Sequence, residues 1–258
     1  MDKYEAFKRD INKLIGLDLS SYKEKQMKRR IASLVSRNKY KDFDDYFIGL
    51  KNDKKLFDEF INYLTINVSE FYRNPKQWEA LDKIIVPKLK SENRGKLKVW
   101  SSASSTGEEP YSLVMMLSRF FDLKDIQIDA TDLDLGAIEK ANMGIYNEKS
   151  LKNIPSDLKK KYFEKVGSSY KISDDIKKCV KFKQMNLLKD PYPKGYHLIL
   201  CRNVMIYFTE EAKAEMYHKF NKSLTDDGVF FVGSTEQIIM PERYNFEPVQ
   251  TFFYKKKK

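Results

Sequence analysis

The sequence contains few of the side chains on which many enzymes rely. Its 258 residues include two cysteines, Cys179 and Cys201, and two histidines, His197 and His218. Two cysteines are too few for a disulfide framework and are typical of a protein in a reducing cytoplasm. No cysteine or histidine spacing resembles a metal site, and no serine–histidine–aspartate arrangement is suggested, so we predict no metal. A reaction that needs neither a metal nor a general base is favoured.

Long hydrophobic runs and phosphate-binding motifs are also missing. The first ten residues, MDKYEAFKRD, contain no apolar segment typical of a signal peptide. The longest apolar runs, such as Val204–Phe208 and Val229–Val232, are far too short to cross a bilayer. We therefore expect a soluble cytoplasmic protein with no membrane insertion. Neither G-x-G-x-x-G nor G-x-x-x-x-G-K-[ST] occurs, which disfavours a nucleotide phosphate site.

Positive charge exceeds negative charge along the chain. The sequence has 48 Lys and Arg against 37 Asp and Glu, a net charge of +11. Such a charge steers a protein toward an anionic partner, which could be nucleic acid, a membrane surface or an acidic protein. Lys25, Lys28 and Arg29 lie together on the second predicted helix. They form either a solvated face or a docking surface for an acidic partner.

Hydrophobic periodicity divides the chain into two regions. Up to about residue 95, apolar residues recur at helical spacing and predict a small helical bundle. Beyond it, short strands alternate with helices, which indicates a parallel sheet in an α/β fold. Residues 144–183 interrupt the alternation with Pro155, a turn at 167–169 and strand-like segments at Tyr170–Ile172 and Val180–Phe182. These features predict a small inserted subdomain.

One stretch, KVWSSASSTGEEPYSL from Lys98 to Leu113, combines a strand end, a turn of small residues and a helix start. This arrangement lets a backbone approach a cofactor closely. Glu108 and Glu109 stand at the helix start, where two carboxylates would repel a phosphate and suit a cation. S-adenosylmethionine, with its sulfonium and ammonium groups, is therefore the favoured ligand. Acidic residues in a first helical turn also complement the helix dipole without binding a ligand, and this alternative stays open.

Polar residues follow two further predicted strands. Asp132 and Asp134 come after the strand Ile126–Ala130, where nucleoside-binding α/β folds place an acceptor for the ribose hydroxyls. Because Asp134 can cap the following helix, Asp132 is the candidate ligand. Arg202 and Asn203 stand where a buried strand leaves the sheet, so they are expected at the same edge.

Five segments taken together resemble the CheR-type chemotaxis receptor glutamate methyltransferases. They are WSSASSTGEEPYSL, TINVSEFYRN, ATDLD, NLL and CRNVMIYF, and they follow the family's order over almost the whole chain. The resemblance implies an all-helical N-terminal domain at residues 1–75 and a Rossmann-like S-adenosylmethionine-dependent methyltransferase domain at residues 76–258. It also implies a small antiparallel β-subdomain inserted at about residues 144–183. Ser102 and Ser104 stand where the family has other small residues.

The resemblance implies the site residues as well. The cofactor contacts would be Asn67, Ser69, Arg73, Glu109 or Glu108, Asp132, Asn186, Leu187, Arg202 and Asn203. Within that set, the glutamate would hold the methionine ammonium, Asp132 the ribose hydroxyls and Asn186–Leu187 the adenine. Arg73 and Tyr207 would lie near the transferring methyl group as catalytic residues. A guanidinium suits a carboxylate, so Arg73 would also grip the substrate.

The implied reaction converts glutamate side chains of chemoreceptor cytoplasmic domains into methyl esters during chemotactic adaptation, and leaves S-adenosylhomocysteine as the product. A glutamate with a pKa of about 4.3 is already a nucleophile at neutral pH, so no general base is needed. The receptor partners are acidic helical bundles, for which Lys25, Lys28 and Arg29 form a candidate docking surface.

Two other functions stay open from the residues alone. A nucleic-acid methyltransferase using the same cofactor would fit the net charge, but no recognisable nucleic-acid-binding module is present. We therefore expect no nucleic-acid partner. A cofactor-binding scaffold that docks to signalling arrays without turnover is the non-enzymatic alternative. We expect a monomer.

Overall fold

The structure is a computed structural model that describes residues 2–93 and 97–257. Residues 94–96, which the sequence places between the last N-terminal helix and the first strand, lie outside the described residues, as do residues 1 and 258. The N-terminal helices are α1 (Lys3–Ile15), α2 (Glu24–Arg37), α3 (Phe43–Asn52) and α4 (Lys54–Thr65). Asp2, Asp42 and Asp53 begin α1, α3 and α4 by accepting hydrogen bonds from their first backbone N–H groups. The predicted helical bundle is confirmed.

A second group of helices follows the linker after α4. These are α5 (Pro75–Ala80) and α6 (Val86–Glu92), which are joined by a π-helical turn at Leu81–Ile85. Pro75 stands at the first position of α5, where its missing N–H has no intrahelical partner to lose. The linker between α4 and α5 contains positive φ angles at Ile66, Tyr72 and Asn74. It therefore turns sharply as it crosses from the bundle to the rest of the protein.

The remaining chain alternates strands and helices. The elements are β1 (Val99–Ser101), α7 (Glu108–Leu117), β2 (Ile128–Asp132), α8 (Leu135–Met143), β3 (Ile145–Asn147), α9 (Ser156–Tyr162), β4 (Phe163–Val166), β5 (Ser169–Ile172), α10 (Asp174–Lys178), β6 (Val180–Gln184), β7 (Tyr196–Cys201), α11 (Glu210–Ser223), β8 (Leu224–Val232), β9 (Phe246–Gln250) and β10 (Phe253–Lys256). Seven strands form one sheet in the order β6-β2-β1-β7-β8-β10-β9. The first five in that order pair in parallel, and β10 and β9 are antiparallel additions at one end. The predicted α/β class is confirmed.

Neighbouring residues of β1 point to opposite faces of the sheet and join different cores. Trp100 belongs to a buried cluster that includes α1, α2 and α11, so the N-terminal helices cover one face of the sheet. Val99 belongs to a second cluster that includes α5, α7 and α9 and covers the other face. The central strands β1, β7 and β8 contribute residues to both clusters and are therefore buried on both sides, as the inner strands of a parallel sheet are. The carboxyl ends of β1, β2 and β7 meet at one edge between these layers.

The inserted antiparallel sheet is smaller than its predicted range. It contains β3, β5 and β4 in that order, between residues 145 and 172. The assignment of Val180–Phe182 to this insertion is wrong, because β6 pairs in parallel with β2 at the edge of the central sheet. Exposed Lys181 and Lys183 alternate with more buried residues along β6. That alternation is equally typical of a strand in a small surface sheet, so the sequence pattern did not separate the two positions.

Candidate functional site

A cleft opens at the carboxyl edge of β1, β2 and β7 and is covered by the linker after α4. It encloses about 950 Å³, counted out to its open mouth. Its lining includes all the predicted cofactor and catalytic residues except Glu108, namely Asn67, Ser69, Arg73, Glu109, Asp132, Asn186, Leu187, Arg202, Asn203 and Tyr207. These residues come from five separate segments of the sequence, and the fold brings them together at one strand edge.

The turn after β1 is anchored on both neighbouring strands. The backbone N–H of Ser102 donates to Leu200 O at 2.9 Å, and that of Ser104 donates to Thr131 O at 2.9 Å. Gly107 then begins α7 with a φ of 94°, and a side chain there would come within 2.9 Å of Tyr146 Oη. Only glycine adopts this positive φ and also leaves room for Tyr146. The backbone of the turn can therefore pack closely against its neighbours and form the floor of the cleft.

The structure separates the two adjacent glutamates at the start of α7. Glu109 lines the cleft and accepts hydrogen bonds from Ser101 Oγ at 2.9 Å and Arg202 Nη1 at 3.1 Å. Burial raises the pKa of Glu109, and the neighbouring Arg202 guanidinium opposes that shift. Glu108 lies outside the lining, and its carboxylate accepts a hydrogen bond from Thr106 Oγ1 at 2.6 Å. The structure therefore does not bring Glu108 into the cleft.

Arg202 joins three parts of the site through one buried guanidinium. Besides Glu109, its Nη2 donates to the backbone oxygen of Arg73 and to Gln77 Oε1, both at 2.8 Å. The guanidinium carbon also lies 4.7 Å from the centre of the Phe231 ring. Its planar fork suits several acceptors at once, so Arg202 fixes the position of the linker relative to the start of α7.

Asp132 is the last residue of β2 and is held by backbone donors. Its carboxylate accepts hydrogen bonds from the backbone N–H of Ser105 at 2.7 Å and of Asp134 at 3.0 Å. Burial raises the pKa of Asp132 to about 6, and the two N–H groups partly offset that shift. In its ionised form, this carboxylate at the cleft wall can accept hydrogen bonds from ligand hydroxyl groups.

Asp134 caps α8, as the sequence predicted, by accepting from the backbone N–H groups of Gly136 and Ala137. Its second oxygen has a function that the sequence analysis missed. That oxygen accepts hydrogen bonds from Asn67 Nδ2 at 2.6 Å, Asn62 Nδ2 at 3.2 Å and Thr65 Oγ1 at 3.2 Å. One helix cap thus also ties the linker to the end of β2.

Apolar side chains form another part of the cleft wall. Beside Asn186 and Leu187, the lining includes Tyr22, Met185 and Phe208. The Tyr22 and Phe208 rings contact each other edge to face, with centroids 4.9 Å apart. Tyr22 was not predicted from the sequence, because it lies outside the five motifs, just before α2. An apolar wall with a backbone edge is suited to an aromatic base.

Arg73 and Tyr207 both line the cleft. Arg73 Nη1 donates to Val68 O at 2.9 Å, which holds the side chain against its own linker. Burial raises the pKa of the Tyr207 phenol, and Arg30 and Arg73 oppose the shift. The phenol is therefore neutral near pH 7 and can act as a hydrogen-bond donor.

The three predicted docking residues lie on α2, outside the cleft. Lys28 Nζ lies 2.8 Å from Asp2 Oδ2. Lys25 and Arg29 are exposed, and neither has an ion pair with any described residue. The helix begins beside the cleft, because the backbone N–H of Lys23 donates to the backbone oxygen of Tyr207 at 2.9 Å.

Two absences hold for residues 2–93 and 97–257. No group of three or more histidine, cysteine, aspartate or glutamate side chains is placed to hold a metal ion. No helix in this part of the chain has the length and apolar composition needed to span a membrane.

The residues of the cleft fit S-adenosylmethionine. The buried carboxylate of Glu109 suits an ammonium group, Asp132 suits the hydroxyl groups of a ribose, and the apolar wall suits an adenine. The turn after β1 brings its backbone close to the cleft through Ser102 and Ala103. Because both carboxylates lie on the β1 and β2 side, this wall favours a ligand carrying positive charge.

Comparison with known proteins gives an independent result. The family model for the S-adenosylmethionine-binding domain of CheR methyltransferases matches residues 67–253, and the model for the all-α domain of the same family matches residues 2–65. A chemotaxis protein methyltransferase from Listeria monocytogenes is 44% identical over 251 residues, which cover 97% of this chain and 96% of that protein. A chemotaxis protein methyltransferase from Borreliella burgdorferi is 34% identical, covering 89% of this chain and 88% of that protein.

These matches cover nearly the whole chain, and the resemblance found in the sequence motifs is confirmed. The protein is an S-adenosylmethionine-dependent methyltransferase of the chemotaxis type, and the chain belongs to the CheR methyltransferase family.

Proposed function

We propose that the protein transfers a methyl group from S-adenosylmethionine to glutamate side chains of chemoreceptor cytoplasmic domains and so forms glutamate methyl esters. The observation that carries this proposal is the composition of the cleft. Its lining among the described residues contains carboxylates, amides, hydroxyls and two arginines, and no histidine, lysine or cysteine. Such a site suits an acceptor that is already ionised, as a glutamate is at neutral pH.

The proposed cofactor contacts follow from the positions of the lining residues. Glu109 is the acceptor for the ammonium group, since its carboxylate pairs with Arg202 and lines the cleft. Asp132 accepts from the ribose hydroxyls at the end of β2. Asn186 and Leu187 contact the adenine; the Asn186 side chain already accepts from Leu188 N at 3.0 Å, which fixes its orientation.

The proposed acceptor contacts lie at the cleft mouth. When bound, the cofactor supplies a sulfonium-activated methyl carbon, which an ionised carboxylate can accept without a proton transfer. Arg73 binds that carboxylate through its guanidinium. Tyr207 donates a hydrogen bond from its neutral phenol and orients the acceptor. These residues act mainly by positioning, which can supply ~7–11 kcal/mol of rate acceleration.

The proposed receptor surface is α2. Lys25, Lys28 and Arg29 would face the acidic receptor helices. The start of α2 lies close to the cleft, because the backbone N–H of Lys23 donates a hydrogen bond to the backbone oxygen of Tyr207. A receptor lying along α2 would therefore present side chains toward the cleft mouth. Complementary charges of this kind mainly raise the rate of association and lose strength as salt rises.

The direct test incubates the protein with methyl-labelled S-adenosylmethionine and purified receptor cytoplasmic fragments. The proposal predicts label on the receptor that mild base releases as methanol. A receptor fragment with its candidate glutamates changed to alanine is the control and should stay unlabelled. Label on added RNA or DNA would instead identify a nucleic-acid methyltransferase. If the protein binds the cofactor but labels neither substrate, the scaffold alternative holds.

A further inference from the structure

Glu236 is a buried carboxylate that belongs to none of the five sequence motifs and does not line the cleft. It lies in the turn after β8 and is 5% exposed. Its Oε1 accepts hydrogen bonds from the backbone N–H groups of Val204 at 2.9 Å, Met205 at 2.7 Å and Ile206 at 3.3 Å. Its Oε2 accepts from the N–H of Gly233 at 2.9 Å and from that of Asn203. Five backbone donors thus converge on one side chain.

The segment held in this way is the one that leaves β7 at the cleft. Asn203 has a φ of 60°, a conformation that asparagine tolerates better than most residues but that still carries strain. A short 3₁₀ turn follows at Met205–Tyr207. The first N–H groups of such a turn have no partner within it, and burying them unpaired is costly. Glu236 supplies the acceptors that this backbone path requires.

The same segment carries three cleft-lining side chains, those of Asn203, Val204 and Tyr207. Glu236 therefore lies behind the wall of the site, while the residues it holds face the ligand. Gly233 makes room for this arrangement, because a side chain there would collide with the Glu236 carboxylate and come within 2.9 Å of Asn203 N. The turn after β8 can therefore approach the turn after β7 closely, because Gly233 has no side chain and Glu236 accepts hydrogen bonds from the facing backbone.

We propose that Glu236 is a positioning residue for methyl transfer, whose carboxylate fixes the backbone of residues 203–206 and thereby places Asn203 for the cofactor and Tyr207 for the acceptor. The role assigned to Tyr207 rests on the proposed function. The role assigned to Asn203 requires only that the cleft binds the cofactor. Measurements with S-adenosylhomocysteine alone therefore separate a failure of this inference from a failure of the proposed function.

The test compares Glu236→Ala and Glu236→Gln with the unaltered protein by calorimetric titration of S-adenosylhomocysteine. Glutamine keeps the size of the side chain but turns an NH₂ group toward backbone donors that need an acceptor. We expect both variants to bind at least tenfold more weakly, and kcat on receptor fragments to fall as well, because Tyr207 moves with the segment. Wild-type Kd values in both variants would overturn the proposal, even if their melting temperatures fall.

Formate provides a readout that a general loss of stability would not change. In Glu236→Ala the vacated space can admit a formate ion, whose two oxygens can accept from the same N–H groups. We expect added formate to tighten S-adenosylhomocysteine binding to this variant at least threefold and to leave binding by Glu236→Gln unchanged.

Ile126→Ala, a core truncation before β2 at the opposite edge of the sheet, is the stability control. It should lower the melting temperature without changing Kd. Equal weakening in this control and no formate effect would assign Glu236 a structural role only.

Hydrogen exchange on the unaltered protein keeps the proposal testable if the variants do not fold. The amides of Asn203, Val204 and Met205 should exchange as slowly as those inside β8, without any ligand present. Exchange at the rate of an exposed loop would show that the carboxylate does not hold this segment, and would overturn the proposal.

Discussion

Glu109 and Arg202 form an ion pair inside the protein, with Oε2 and Nη1 3.1 Å apart and side chains 11% and 2% exposed. Glu109 lies in the first turn of α7 and Arg202 directly follows β7, so the pair joins two sides of the cleft. Because both charges are removed from water, each requires the other, and loss of one partner leaves the other uncompensated. The remaining acceptor capacity of Glu109 is then available to a cationic ligand.

Glu109→Gln tests that capacity. The variant keeps the size of the side chain but removes the charge, so we expect the affinity for S-adenosylhomocysteine to fall about 10- to 100-fold, as expected for a charged hydrogen bond worth ~1.5–3 kcal/mol. The matched control is Glu108→Gln, one residue away and outside the cleft lining. Its Kd should change less than threefold. Calorimetry on both variants decides the point, and a larger loss in the control would reassign the ammonium contact to Glu108.

Asp132 should make cofactor binding depend on pH. The ionised carboxylate is the better acceptor for ribose hydroxyls, and burial raises its pKa to about 6. Protons therefore compete with the ligand below that value. We expect Kd for S-adenosylhomocysteine to be constant above pH 7 and to rise about tenfold for each pH unit well below 6.

Asp132→Asn is the control for that pH profile. It should bind more weakly at pH 7.5, and its Kd should lack the rise near pH 6. Asp132→Ala should weaken binding as well, because an acceptor is lost. A variant profile that still rises below pH 6 would attribute the titration to another group.

Asp134 and Asn67 should be energetically coupled, because their side chains are 2.6 Å apart and join the linker to β2. Asp134→Ser keeps a helix-capping residue before α8 while removing the reach to Asn67. We expect it, and Asn67→Ala, to weaken S-adenosylhomocysteine binding about three- to tenfold. A double-mutant cycle on the free energy of unfolding should give a coupling of ~1–2 kcal/mol, as for other residues within one hydrogen-bond network. Additive effects of the two substitutions would show that this bond does not hold the linker.

Charge reversal on α2 should affect the receptor and not the cofactor. Changing Lys25, Lys28 and Arg29 to glutamate should raise KM for receptor fragments about tenfold at low salt, with a smaller effect at high salt because exposed charges are screened. Kd for S-adenosylhomocysteine should stay the same.

The matched control reverses three lysines near the opposite edge of the sheet, Lys88 and Lys90 on α6 and Lys124 before β2. It makes the same change in net charge, so it separates a docking surface from a general charge effect. Equal KM values for the two triple variants would place receptor docking elsewhere on the protein.

The sequence predicted the fold class and the common position of the site motifs, since hydrophobic periodicity and strand-end motifs are local properties of the chain. It did not separate Glu108 from Glu109, because adjacent residues at a helix start differ only in the direction that the helix gives them. It assigned β6 to the insertion, because strand pairing is a long-range property.

The residues that the sequence analysis missed support the site from outside its motifs. Asp134 was correctly predicted as a helix cap, but its second oxygen binds a segment nearly 70 positions earlier in the chain. Tyr22 reaches the cleft through the packing of α2. Glu236 acts on backbone N–H groups, which leave no signal in the sequence of the segment that it holds. Contacts of this kind can be seen only once the chain is folded.

The most direct measurement of the central claim is a crystal structure of the protein with S-adenosylhomocysteine. The cofactor product should lie at the carboxyl edge of β1 and β2, with its ribose on Asp132, its ammonium group beside Glu109 and its adenine against Leu187. Density for the ligand at any other place on the protein would contradict the assignment of this cleft as the methyl-transfer site.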